Sequence, residues 1–204
     1  PTTIFSGLAD TDTTYTVSLA VNTTLGCSAV VSLDVVVHPS PNAGFTLSQQ
    51  EGCHPANADI TNTSTGAISY LWNYGENQTS TEESPVHQYT WSITSATPIE
   101  YDVVLTAITE FGCEAQFNLP YTVFPEIEAD ASDVDSGCAP LQVTFSNQSI
   151  GANAGFEWDF GDGITSSQTN PAHTFVNTAY QDTTYQVELI ASSIYGCVDT
   201  TYIP

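Results

Sequence analysis

The sequence predicts an all-β chain of β-sandwiches in series, and three observations carry that expectation. The first is the stretch Phe156-Glu157-Trp158-Asp159-Phe160-Gly161-Asp162-Gly163, where aromatics alternate with acids and then run into glycines. A period of two is the pattern of a strand with one buried face. Gly-Asp-Gly then supplies positions that tolerate positive φ, so the strand ends in a tight turn. The second observation is recurrence: Trp72-Asn73-Tyr74-Gly75-Glu76-Asn77 is a worn copy of the stretch, 86 residues upstream. The third is that no stretch reads as a long amphipathic helix.

Two further features recur in phase. Tyr15-Thr16-Val17-Ser18-Leu19 aligns with Tyr101-Asp102-Val103-Val104-Leu105 and with Tyr185-Gln186-Val187-Glu188-Leu189. In each copy a Gly-Cys follows, with Cys27, Cys113 and Cys197 lying 12 residues after the tyrosine and spaced 86 and 84 apart. Three features in phase imply an internal repeat. Three segments follow: residues 1–38, the C-terminal half of a repeat; 39–124, a full repeat; and 125–204, another.

Each full repeat opens on Gly-Cys followed closely by Pro, as Gly52-Cys53-His54-Pro55 and Gly137-Cys138-Ala139-Pro140. A strand is expected next, over Ala58 to Asn62 or Leu141 to Asn147, and then the Trp strand. Pro85-Val86-His87 and Pro171-Ala172-His173 precede the Tyr-x-Val-x-Leu strand, and the Gly-Cys strand closes the unit. About seven short strands in ~85 residues is the count of an immunoglobulin-like sandwich, which is built around a buried Trp. Trp72, Trp158, Tyr15, Tyr101 and Tyr185 are the expected core aromatics. Residues 1–38 hold too few strands to cover their own apolar face, so the chain reads as a slice of something longer. Prolines at His38-Pro39-Ser40-Pro41 and Phe124-Pro125 mark stiff joints, and the expected outcome is an elongated rod.

Composition narrows the partners. The 204 residues contain no Lys or Arg against 23 Asp and Glu, a net charge of −23. Phosphate neutralisation is therefore closed to this chain, which excludes nucleic acid as a partner. Docking on anionic lipid is disfavoured for the same reason. Disorder is the other reading of so acidic a chain, but 41% apolar content supplies ample material to bury. The acidity reads as a solvated coat on folded domains.

The Phe156–Gly163 octet resembles the signature of the polycystic-kidney-disease (PKD) domain, a small β-sandwich common in extracellular arrays. The resemblance covers residues 41 to 204 and the tail of a third copy. Acidic, Cys-bearing arrays of this kind look similar to the giant surface adhesins and filaments of Bacteroidetes. The resemblance implies an extracellular or cell-surface spacer or adhesive stalk. Its partners would be neighbouring repeats of the same chain, further copies in a filament, or glycans.

The five cysteines read as Cys53–Cys113 and Cys138–Cys197, with Cys27 left over, because separations of 60 and 59 match across the copies. Buried free thiols are the alternative. Recurrence in phase and the lack of C-x-x-C spacing favour disulfides over zinc, and disulfides belong outside the cytosol.

Catalytic chemistry finds no foothold. No Ser-His-Asp grouping, nucleophile elbow or His-rich metal motif is present, and without Lys there is no Schiff-base chemistry. His87 and His173 read as structural hydrogen-bonders. No cofactor is expected, with calcium as the one alternative, since hard oxygen ligands suit it. Two places could take it: Asp159 with Asp162 in the glycine turn, and Glu126, Glu128 and Asp130 at the joint between the full repeats. The bland reading is a turn stabilised by Asp side chains in the first case and solvated, mutually repelling carboxylates in the second.

Asn22, Asn62, Asn77 and Asn147 head N-x-[ST] sequons. Thr13, Thr183 and Thr200 lie in Asp-Thr-Thr runs that resemble the short O-glycosylation motif of exported Bacteroidetes proteins. Three functions are weighed: a structural segment of a surface protein or filament, a glycan- or protein-binding accessory module of a secreted hydrolase, and an enzyme in its own right. An accessory glycan binder needs exposed aromatics on one platform, and Tyr89 and Trp91 are the candidates.

Overall fold

The structure, a computed structural model, describes residues 2–5, 11–90, 97–132 and 136–203. Sixteen strands and no helix are found among these residues, and no helix long and apolar enough to cross a membrane. The chain divides into two compact units. Pro1–Gln50, Ala58–His87 and Tyr101–Tyr121 form the first; Glu51–Asn57, Gln88–Glu100 and Thr122–Pro204 form the second.

In the first unit, β1 (Thr13–Asn22) and β2 (Ser28–Val37) form an antiparallel hairpin in unbroken register from Thr13↔Val37 to Asn22↔Ser28. The register sets Tyr15, Val17, Leu19 and Val21 opposite Val35, Leu33, Val31 and Ala29. Because side chains alternate across a strand, all eight share one face. Leu19 is 60% exposed and Leu33 71%. At the corresponding positions of β9 (Ile99–Ile108), Val103, Leu105 and Ala107 are fully buried. The same pattern is covered in one place and bare in the other.

Two sheets sit beside that hairpin in the sequence. One has the order β3 (Phe45–Leu47), β5 (Ala56–Asn62), β8 (Val86–Tyr89). The other has the order β4 (Glu51–Cys53), β10 (Glu114–Phe124), β9, β6 (Ser69–Asn73), β7 (Thr79–Ser80). Phe45 of β3 meets Trp72 of β6 and Phe117 of β10 edge to face, at 5.1 and 5.4 Å. Trp72 is fully buried, and its Nε1 donates to the Glu82 carbonyl at 2.8 Å. Its one polar atom is thereby satisfied, which lets the indole contribute on the order of 4–6 kcal/mol of transfer free energy before entropy is counted.

In the second unit β13 (Thr165–Ser166), β12 (Gly155–Asp159), β15 (Val187–Ser192) and β16 (Val198–Ile203) make a four-stranded sheet. β11 (Leu141–Thr144) pairs with β14 (Ala172–Phe175) in a second sheet. Val143 and Phe175 from the smaller sheet cluster with Trp158, Val187, Leu189 and Ile203 from the larger, together with Phe145 and Phe160. Trp158 Nε1 donates to the Gln168 carbonyl at 3.0 Å, ten residues on, as Trp72 does.

The expected all-β sandwich class is thus observed. The strand expected over Leu141 to Asn147 stops as a ladder at Thr144, and Asn147 makes an isolated bridge to Ala131. Both tryptophans are in the core, as expected. The three tyrosines are half-buried at the core margins: Tyr15 packs on Phe5 and Tyr185 on Phe175, each at 5.0 Å.

Candidate functional site

The turn after each Trp strand is held by side chains that mimic backbone. Asp159 Oδ1 accepts from Gly161 N at 2.8 Å, and Asn73 Oδ1 accepts from Gly75 N at 2.9 Å. Gly161 and Gly75 have φ of +75° and +84°, and a Cβ on Gly161 would lie 2.5 Å from the Gln186 carbonyl oxygen. Only glycine fits there.

Next to each turn lies a histidine paired with a carboxylate. His173 Nε2 is 2.8 Å from Asp162 Oδ2, and its ring stacks on Phe160 at 4.2 Å and 2°. His87 Nε2 is 2.7 Å from Glu76 Oε1, and its ring stacks on Tyr74 at 3.9 Å and 3°. Burial raises the Tyr74 pKa, with the Glu82 charge adding to it and a Ser80 hydrogen bond opposing it. These pairs hold the turn to the strand behind it. They are the hydrogen-bonding histidines expected from the sequence, now with partners.

Asp162 Oδ1 also accepts from Ile164 N at 3.1 Å, so both its oxygens have protein partners. A cation at Asp159 and Asp162 would compete with His173 and with the amides of Gly161 and Ile164 for those oxygens. In the second acidic group, Glu126 Oε2 lies 3.7 Å from His54 Nδ1, while Glu128 and Asp130 are exposed. Among the described residues no three His, Cys, Asp or Glu side chains come together as a metal-holding group.

Three turns share one hydrogen-bond pattern. Thr23 N, Thr109 N and Ser193 N donate to the carbonyls of Cys27, Cys113 and Cys197, four residues on. The cysteine amides donate back to Thr23 Oγ1, Thr109 Oγ1 and Ser193 Oγ, and Gly26, Gly112 and Gly196 supply φ of +86°, +77° and +81°. The residue before each of these glycines is Leu25, Phe111 or Tyr195. His38 stacks on Phe111 at 3.6 Å and 5° within the first unit. Phe124 stacks on Tyr195 at 4.9 Å and 8° within the second. His38 and Phe124 each lie 11 residues past a turn cysteine.

Beside the Phe124–Tyr195 stack is the disulfide, and it corrects the expected pairing. Cys53 is bonded to Cys197, with Cα atoms 5.6 Å apart, and Cys27, Cys113 and Cys138 are free thiols. The reason lies in β4 and β10. They run parallel with Cys53 opposite Phe124, the last residue of β10, and His54 N donates to the Phe124 carbonyl at 3.2 Å. Cys113 precedes the first residue of that strand, so about 35 Å of extended chain separates it from Cys53's position. A disulfide needs Cα atoms within about 7 Å. Equal separations of 60 and 59 marked equivalent positions, not partners.

The remaining sequence candidates divide. Tyr89 is 1% exposed, so it cannot stack on a glycan, and Trp91 lies outside the described residues. Asn62 and Asn147 use Oδ1 to cap Ser64 N and Ser149 N, both at 2.9 Å, and their Nδ2 atoms are buried without a partner. A glycosyltransferase cannot reach those nitrogens in the folded chain. Asn22, Asn77, Thr183 and Thr200 are exposed, and Thr13 is half-buried.

The stacks His38–Phe111 and Phe124–Tyr195 were not foreseen. Their signal was present: a ring two residues before a turn cysteine, and another 11 residues after the preceding one. Neither position is informative until the other is placed beside it.

Among solved structures, the chain resembles the PKD1 domain of the Vibrio cholerae metalloprotease PrtV at 29% identity, over 42% of this chain and 98% of that one, with TM-score 0.35. The PKD1 domain of Vibrio anguillarum Epp is matched at 24% identity, over 43% and 96%, also with TM-score 0.35. A carbohydrate-binding module of the β-sandwich superfamily matches at 14% identity, over 75% and 55%, with TM-score 0.37. Residues 122–203 match the PKD domain family.

Proposed function

We propose that this chain is a structural segment of a long extracellular, cell-surface protein or filament, made of serial PKD-like domains with the boundaries 1–38, 39–124 and 125–204. One observation carries the reading: the Cys-bearing turn recurs three times with the same hydrogen bonds, and two of its copies receive a ring from the segment before. A chain that repeats its seams as well as its cores is suited to bearing load in series. The disulfide supports an oxidising compartment outside the cytosol. The match of residues 122–203 to a family of β-sandwich modules supports a role without turnover. Immunogold labelling of intact cells, with antibody raised to this chain, is expected to decorate the surface or its fibres. Label confined to the cytosol would overturn the proposal.

The other reading, an accessory module of a secreted hydrolase, loses one of its two platform aromatics with the burial of Tyr89. Binding of the chain to polysaccharide that is lost in Trp91→Ala would restore it.

A further inference from the structure

The free thiols Cys27, Cys113 and Cys138 are each equivalent to one end of the bond that is formed. Cys27 and Cys113 occupy the same hydrogen-bonded turn as Cys197, and Cys138 sits in the same Gly-Cys-x-Pro opening as Cys53. The bond therefore joins an opening cysteine of one segment to the turn cysteine of the segment that follows, 144 residues on. Its setting is an aromatic stack, Phe124 on Tyr195. The same stack is made a second time, His38 on Phe111, with Cys113 in the position of Cys197 and half-buried. What that seam lacks is the opening cysteine and the strand that carries it: β2 pairs with β1 in a two-stranded sheet, whereas β10 also takes β4, and residues 1–38 contain no Gly-Cys-x-Pro.

We infer that these three thiols are half-joints, and that the partner each one takes is the complementary cysteine of a neighbouring repeat of the same kind. Cys138 takes a turn cysteine from the repeat after it. Cys113 and Cys27 take opening cysteines from repeats before them. The resulting links are staggered: each repeat is bonded to both neighbours and none is closed on itself. Tension along the chain is then borne by covalent seams, and a reductant removes them. In each closure two thiols lose two protons and two electrons as one S–S bond forms. A small-molecule disulfide, or the disulfide of an oxidoreductase, accepts them and is cleaved to two thiols.

The inference rests on the serial reading above, and one experiment separates the two. The parent polypeptide is recovered from its cells with thiols alkylated, digested at glutamate without reduction, and mapped by mass spectrometry. The expected result is Cys138 linked to a downstream Gly-Cys turn, and Cys113 and Cys27 each linked to an upstream Gly-Cys-x-Pro opening. If repeats flank the chain yet these cysteines come back alkylated, joined turn to turn, or joined as Cys113–Cys138, the staggered joint is wrong and the serial reading stands. If no such repeats flank the chain, both are overturned.

Discussion

Cys53 is bonded to Cys197 across 144 residues, while Cys113, whose turn makes the same hydrogen bonds as that of Cys197, is a free thiol. The bond closes a loop worth about 5 kcal/mol in the chain-entropy model. Cys197→Ser should lower unfolding free energy by roughly 2–5 kcal/mol, read by chemical denaturation of the second unit, where Trp158 reports on the core. Cys113→Ser should change it by less than about 1 kcal/mol, since it breaks no bond.

Asp159 and Asp162 stand three residues apart in one turn and do different work. Asp159→Asn keeps the acceptor for Gly161 N, and Asn73 already performs that role in the first unit, so a change within about 0.5 kcal/mol is expected. Asp162→Ala leaves His173 facing a gap and should cost about 1–3 kcal/mol. Thermal melts of the two variants give the comparison. The same melts should be unmoved by millimolar calcium or by chelator, because both Asp162 oxygens are engaged.

Gly161 and Gly163 both have positive φ, +75° and +90°, but only Gly161 lies against another backbone. Gly163→Ala should cost about 1–2 kcal/mol, the left-handed penalty alone. Gly161→Ala adds a Cβ clash with the Gln186 carbonyl and should cost at least about 3 kcal/mol. Urea midpoints of the two variants test the ranking.

Burial raises the pKa of Tyr74 and, with the Asp59 charge adding to it, that of Tyr121. A tyrosine whose folded pKa exceeds its unfolded value near 10 contributes stability that is whole below that pH. The contribution is lost as pH climbs from there through the raised folded value. Denaturation midpoints should therefore fall above pH 10, and phenolate absorbance should show tyrosines that titrate only with unfolding.

The hairpin face bearing Val17, Leu19, Val31 and Leu33 is apolar and exposed. An apolar dye should bind it, and Leu33→Asp should weaken that binding while leaving the Trp72 and Trp158 melts in place.

The cores were legible because burial leaves a period-two trace: Phe156, Trp158 and Phe160 announced a strand, and Trp158 is fully buried. The glycine turn was legible because positive φ selects its residue. The disulfide was not. Periodicity reports which positions are equivalent, and the partner of Cys53 depends on where the parallel pairing of β4 with the end of β10 delivers it. The partners of His87 and His173 were hidden in the same way, since Glu76 and Asp162 reach them only after the chain has turned back.

Non-reducing digestion of this chain at glutamate places the five cysteines in separate peptides, 1–51, 52–76, 111–114, 129–157 and 189–204. Staggered cross-linking predicts 52–76 joined to 189–204, with 111–114 and 129–157 carrying thiols. Recovery of 52–76 joined to 111–114, with 129–157 joined to 189–204, would contradict it.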